Sequence, residues 1–95
     1  MSEGLHSFDF QPHLHTTFRI AVPIPVELQL AEMEDTSNAA IEQFSLIFTG
    51  PPSVPLEQGT YTLLHPILGQ QEIFLVPLGP QGALLRYQAV FSRLL

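Results

Sequence analysis

Hydrophobic and polar residues alternate along most of this chain with a period of two, the spacing of a strand that buries one face. In "TFRIAV", Phe18, Ile20 and Val22 share one face and Arg19 takes the other. "PVELQLAEM" sets Val26, Leu28 and Leu30 against Glu27 and Gln29. "EQFSLIFTG" aligns Phe44, Leu46 and Phe48, and "GTYTLLH" sets Tyr61 and Leu63 against Thr60 and Thr62. "LRYQAVF" sets Leu85, Tyr87, Ala89 and Phe91 against Arg86, Gln88 and Val90. "QEIFLVPL" is apolar on both faces, the pattern of a strand covered on both sides. The pattern predicts six strands, and no segment holds a helical period over ten positions.

The connections carry turn chemistry. "PIP" at 23–25 bends the chain and removes two backbone donors, so the first two strands meet at a kink or an edge. "AEMEDTSNAAIEQ" (31–43) reads as a long polar connection, and "TGPPSVPLEQG" (49–59) as a stiff proline-rich loop. "HPILGQ" (65–70) joins the fourth and fifth strands, with Gly69 available for a positive φ, and "GPQG" (79–82) joins the fifth and sixth. The last three strands then form a meander. Ahead of the first strand, "SFDFQPHL" suits one helical turn capped by Ser7. Six short strands with one apolar face hide their edges best by closing up. The expected fold is therefore an all-β, six-stranded antiparallel barrel, with Phe8, Phe10 and Leu14 plugging an open end; a two-sheet sandwich is the alternative. The expected core is Phe18, Ile20, Leu28, Phe44, Leu46, Phe48, Tyr61, Leu63, Phe74, Val76, Tyr87 and Phe91.

Composition narrows the function. At 95 residues the chain, 1–95, is a single domain. It is 45 % hydrophobic and only 13 % charged, about half the charge usual for soluble domains, so apolar groups must share the surface. The net charge of −6 lies in the first half, where seven acids face one base, Arg19. That excludes the basic footprint of a nucleic-acid binder and disfavours anionic membranes. With no cysteine, disulfides, thiolate catalysis and cysteine-ligated metals are excluded. "MSEGLHSFDFQPH" lacks the basic and apolar regions of a signal peptide, and "IFLVPL" is far too short to span a membrane. A cytoplasmic protein without membrane insertion is expected.

Few residues carry candidate chemistry. There is no lysine, hence no Schiff base, and no phosphate-binding or nucleophile-elbow motif. His13 and His15, two apart, would share a strand face and suit zinc, nickel or copper, with His6 and Asp9 nearby, but nothing fixes a third ligand. His65 precedes Pro66 and reads as a turn histidine rather than a general base. The acidic connection misses the calcium-loop pattern, with Ala40 and Leu46 where glycine and glutamate are needed. Arg86 is expected to pair with Glu72 on the neighbouring strand. No catalytic residue, cofactor or metal is assigned, and the protein reads as a non-enzyme.

From Phe44 to Phe91 the chain resembles an uncharacterised bacterial family of small proteins of this length. The shared features are F-S-L-x-F-x-G-P, Q-G-T-Y-x-L-x-H, L-G, F-L-V-P-x-G and Y-x-A-V-F, with looser matches at "F-x-P-H-L" and "F-x-I". "FSRLL" runs past the family's usual end. The resemblance implies no activity. It implies neighbours such as phage-tail-collar-like proteins, and so a part in a multi-protein particle.

The leading expectation is a non-enzymatic protein-interaction or structural module that docks on a protein partner or forms a homodimer. The alternative is a small-ligand or metal-binding domain using His13 and His15. From Gly59 to Ala83 the only formal charge is Glu72. Ile73, Phe74, Leu75 and Val76 are consecutive within that span, so one pair must point outward. With Leu64 or Leu63 beside it, that pair would form an apolar patch, unless the N-terminal segment covers it.

Overall fold

The computed structural model of the protein describes residues 6–94, and these carry six antiparallel strands. They are β1 (Thr17–Ile20), β2 (Val26–Asp35), β3 (Ile41–Gly50), β4 (Gly59–His65), β5 (Gly69–Gln81) and β6 (Leu84–Leu94). The strands form one sheet that closes in a ring, in the order β1-β2-β3-β6-β5-β4, rather than two stacked sheets. The ring closes at β1 and β4 through a single pair, Arg19 opposite Leu64. Pro23 and Pro25 follow directly, and without backbone donors they cannot extend that ladder. β5 serves two neighbours in turn: Gly69–Leu75 pair with β4, and Val76–Gln81 pair with β6.

Alternation chooses what fills the ring. Phe18, Ile20, Leu28, Leu30, Leu46, Phe48 and Leu63 point inward and are fully buried, and Phe44, Tyr87 and Ala89 join them. A six-stranded ring is narrow enough for side chains to fill it. Aromatic edges meet inside it, with Phe18 against Phe48 at 5.3 Å between centroids and Phe44 stacked on Phe91 at 4.8 Å. Tyr61 and Phe91 are half-buried against this core.

Both mouths of the ring are closed by chain from outside the strands. A short helix α1 (Ser7–Phe10) continues as a 3-10 turn, Gln11–His13, across one mouth. It inserts Phe10, whose ring lies 5.9 Å from Phe44 and 5.6 Å from Phe91, and Leu14 packs beside it. His15, at φ 69°, turns the chain into β1, in the left-handed region that histidine tolerates better than most residues. The other mouth is crossed by residues 51–58, which run from β3 to β4, three places away around the ring. Eight residues reach about 26 Å when extended, enough to span it. Val54 and Leu56 of this loop pack on the core, and the Leu56 amide donates to the Tyr87 hydroxyl at 3.0 Å.

Several expectations need correction. The polar connection 31–43 is mostly strand. A bulge between Leu30 and Glu32 shifts the phase of β2, so that inward positions pass from even to odd numbers at Met33, and the alternation looks lost. Only 36–40 form the turn, where the Asn38 side-chain oxygen accepts from the amides of Ala40 and Ile41. β5 runs through Pro80 to Gln81, past the expected "GPQG" turn, with a bulge between Pro77 and Gly79. Ser7 is not the cap. His6 takes that position, its amide donating to Asp9 at 2.7 Å, while the Ser7 hydroxyl donates to Asp35 of β2. Phe8 is 65 % exposed and plugs nothing, and Val22 lies beyond β1 in solvent. Phe74 and Val76 leave the core: Ile73 and Leu75 take the inward positions at 1 % and 0 % exposure, and Phe74 stands half exposed. β5 is therefore covered on one face only. Leu94 is exposed at the end of β6, and Leu95 and the first five residues lie outside the described chain.

The two phenylalanines make the test. Phe48→Ala should cost about 3–5 kcal/mol in urea unfolding, enough to unfold most of a domain this small. Phe74→Ala should cost about 1 kcal/mol or less, because half of its ring already meets water. Equal costs would mean that the buried face of β5 is misassigned.

Candidate functional site

Two places gather the residues that the sequence singles out: the mouth under α1, and the outer face of β5 and β6.

At the mouth, His65 ends β4 and is buried. Its Nδ1 accepts from the amides of Ile67 at 3.0 Å and Leu68 at 3.2 Å, closing the turn that Pro66 and Gly69 (φ 76°) shape. The Thr16 hydroxyl donates to the His13 carbonyl at 2.6 Å, so at 3.1 Å it accepts from Nε2–H of His65. These partners assign the neutral Nε2–H tautomer, with no lone pair left over for a substrate proton or a metal. Burial, and then the neighbouring His13, hold its imidazole below the ordinary value. His13 packs edge-on against His65 at 4.5 Å between centroids.

The structure separates the pair read as metal ligands. His13 and His15 sit in a 3-10 turn and the bend after it, not on a strand, so the shared face expected of them does not exist. The chain brings His13 to His65 instead, from 52 residues away. Among the described residues, no three histidine or acidic side chains gather in a way that could hold a metal ion.

His6 joins a different group. Its Nδ1 lies 2.8 Å from the Glu42 carboxylate of β3, which Arg93 of β6 also reaches at 3.1 Å. With Ser7 on Asp35, this contact ties α1 to three strand ends. The Asp35 carboxyl is held below its ordinary value, by Ser37 first and then Ser7. Sequence reasoning missed the group, since 36 residues separate His6 from Glu42.

The second place is the outside of the ring. Phe74, Val76 and Leu78 of β5 point outward, and on β6 Val90, opposite Ser45 of β3, is 60 % exposed beyond the last β5–β6 pair. Val76 stands opposite Gln88, which stands opposite Ile47 of β3, so the face continues across three strands. Of the proposed patch residues, Phe74 therefore faces solvent, Val76 points outward but is half-buried, and Ile73 and Leu75 face the core. Leu63 is buried, and Leu64 lies opposite Gln70, away from the patch. Thr60 is the residue across from Phe74. The described N-terminal residues, 6–14, lie across the mouth and not over this face.

Charge divides the outside. β2 and β5 stand three places apart in the ring of six, yet Glu32 and Glu34 of β2 line one outer hollow with Ile47 of β3, Arg86 and Gln88 of β6 and Leu78 of β5. The exposed side chains of β2 are acidic at Glu27, Glu32 and Glu34, whereas those of β5 and β6 are mostly apolar. The expected Glu72–Arg86 pair does not form. Glu72 accepts from Thr62 of β4 at 2.7 Å, and Arg86 stands opposite Gly79.

The fold and its surface define an all-β domain with a filled interior, both ends plugged, and one apolar outer face. Among the described residues no helix is long and apolar enough to cross a membrane. The family model described as a domain of unknown function, DUF6916, matches residues 5–91, and the chain belongs to that family. No curated protein and no solved structure matches it.

The histidine gives a pH prediction. Below the ordinary imidazole value of 6.5, the unfolded chain binds a proton that folded His65 refuses. Its stabilisation is complete above that pH and is lost as pH falls through the lowered folded value. The melting temperature should drop in this window, and His65→Asn should lower it at neutral pH while flattening the drop. Parallel curves for the two proteins would rule His65 out as the titrating group.

Proposed function

We propose that this chain is a non-enzymatic protein-interaction module that docks through the outer face of β5 and β6. The observation that carries the reading is Phe74, 50 % exposed on the same outward side of β5 as Val76 and Leu78, with no element of the described chain laid over it. An aromatic ring amid aliphatic side chains, with few charges, has the composition of an interface centre. The interior supports the same reading, because it is occupied by side chains of 0–1 % exposure such as Phe18, Phe48, Leu63 and Tyr87. The resemblance to proteins found beside phage-tail-collar-like neighbours supports a place in a multi-protein particle.

Replacing Phe74 and Val76 together by Thr tests the face. Both positions are outward and Thr suits a strand, so the melting temperature should stay within a few degrees. Association, with itself or with a protein retained from the host, should fall by about tenfold or more. If the variant associates as the native chain does, by sedimentation and by pull-down, the module does not work through this face.

A further inference from the structure

Resting on that docking reading, we infer that the occupant is one extended peptide segment, added as a strand to the free edge of β6 in the fork between β5 and β6, with an apolar side chain and a basic one two residues away.

The fork follows from the register. β5 and β6 pair from Gln81 opposite Leu84 to Val76 opposite Gln88, and no further. Beyond that point β5 stays with β4, from Leu75 to Gly69, and β6 stays with β3, from Ala89 to Leu94. Phe10 lies on the inner side, against Phe44 and Phe91. The outer side is open: Phe74 on one arm is 50 % exposed, and Val90 on the other is 60 % exposed.

The hydrogen bonds show which main-chain groups point into the fork. The Thr36 and Asn38 amides donate to the carbonyls of Gln43 and Ile41, so the odd-numbered residues of β3 bond toward β2. Such bonding alternates along an antiparallel strand, so Phe44 and Leu46 bond toward β6, where Phe91 and Ala89 stand opposite them. Val90 and Ser92 therefore direct their N–H and C=O away from β3, into the fork. Gln88, in phase with them, bonds Val76, and two and four residues back on β5 Phe74 and Glu72 point the same way. Among the described residues no strand pairs with these four on that side.

The unmet groups define the occupant. Only another extended backbone offers donors and acceptors at the spacing of Val90 and Ser92, which is the basis of recognition by strand addition. Counting on from Val76 and Gln88, Phe74 is level with Val90, and Glu72 with Ser92. An added strand would set one outward side chain between Phe74 and Val90, where an apolar group fits, and the next between Glu72 and Ser92, where a basic group fits. The net charge of −6 favours the same kind of segment. The arm of β5 limits its thickness: one strand enters the fork, whereas a second closed ring meets β5 before it reaches β6. The other open edge of this sheet is defended. Past Leu30, β2 leaves β1 and carries Glu32, Glu34 and Asp35, charges that discourage an added strand. Ala89–Leu94 has one charge, Arg93, which Glu42 of the same sheet holds, and it leaves Val90 and Leu94 exposed.

Hydrogen exchange and peptide selection test it. In the free protein the Val90 and Ser92 amides should exchange on the order of a hundredfold faster than those of Ala89 and Phe91. Nine-residue peptides selected from a displayed random library should share an apolar residue with Lys or Arg two places away, and the tightest, once synthesised, should slow exchange at Val90 and Ser92. Val90→Pro removes an amide that β3 does not use, so the far-UV spectrum should hold while binding falls about tenfold or more. Val90→Lys leaves the main chain intact, guards the edge with charge, and should cause a similar loss. Slow exchange of the Val90 and Ser92 amides in the free monomer, or a library that yields no binder, overturns the inference. So does a native chain that dimerises and protects these amides by doing so, since the occupant is then a second copy. A binder that both Val90 variants leave intact also overturns it: if Phe74→Thr with Val76→Thr abolishes that binding, the docking face stands without strand addition, and if it does not, both fall.

Discussion

A sheet rolled into a ring has two mouths, and through either one water could reach the aromatic layer inside. The rest of this structure depends on stopping both. Phe10 stops one, resting on Phe44 and Phe91, and Val54 and Leu56 stop the other. Neither stopper belongs to a strand. Each is a short segment with few apolar residues, and each is tied down by polar contacts at its rim: His6 and Ser7 to Glu42 and Asp35, and the Leu56 amide to the Tyr87 hydroxyl. These contacts fix the direction of the chain where burial alone would only favour contact.

Using the N-terminal segment as a stopper has a consequence on the far wall. The same residues, with Phe8 and Phe10, are the natural cover for an apolar strand face, and they cannot serve in both places. Once Phe10 enters the mouth, the outer side of β5 is left with Phe74 and Leu78 exposed and Val76 half-buried between them. Glu32 and Glu34 of the acidic strand β2 border one end of that face, in an outer hollow shared with Leu78, Gln88 and Arg86. The result is a closed ring whose outer surface is apolar along β5 and acidic where β2 approaches Arg86.

The histidines show how tertiary contact redistributes chemistry. Read along the chain, His13 and His15 look like a pair and His65 looks isolated. In the fold His65 is the connected one, its two ring nitrogens taken up by the Ile67 and Leu68 amides and the Thr16 hydroxyl. A side chain bonded on both nitrogens is a structural strut. Pro66 already pointed to the turn, because a residue before proline is held extended. Thr16 could not be read from local sequence, since it lies 49 residues away.

By itself the sequence determined the fold class, the inward faces of β1, β3, β4 and β6, the turn at Gly69, and the lack of enough charge to cover the surface. It could do so because side chains alternate strictly across a strand, and a single apolar face admits one reading. Where that condition failed, only the tertiary structure decided. In β2 the bulge after Leu30 changed the phase of the alternation, and hydrogen-bonded strand looked like polar loop. In β5 both faces are apolar, and the choice of Ile73 and Leu75 over Phe74 and Val76 fell to the register with β4 and β6. The positions of Glu72 and Arg86 depended on that same register: residues on neighbouring strands are close or distant according to a pairing that neither segment encodes alone.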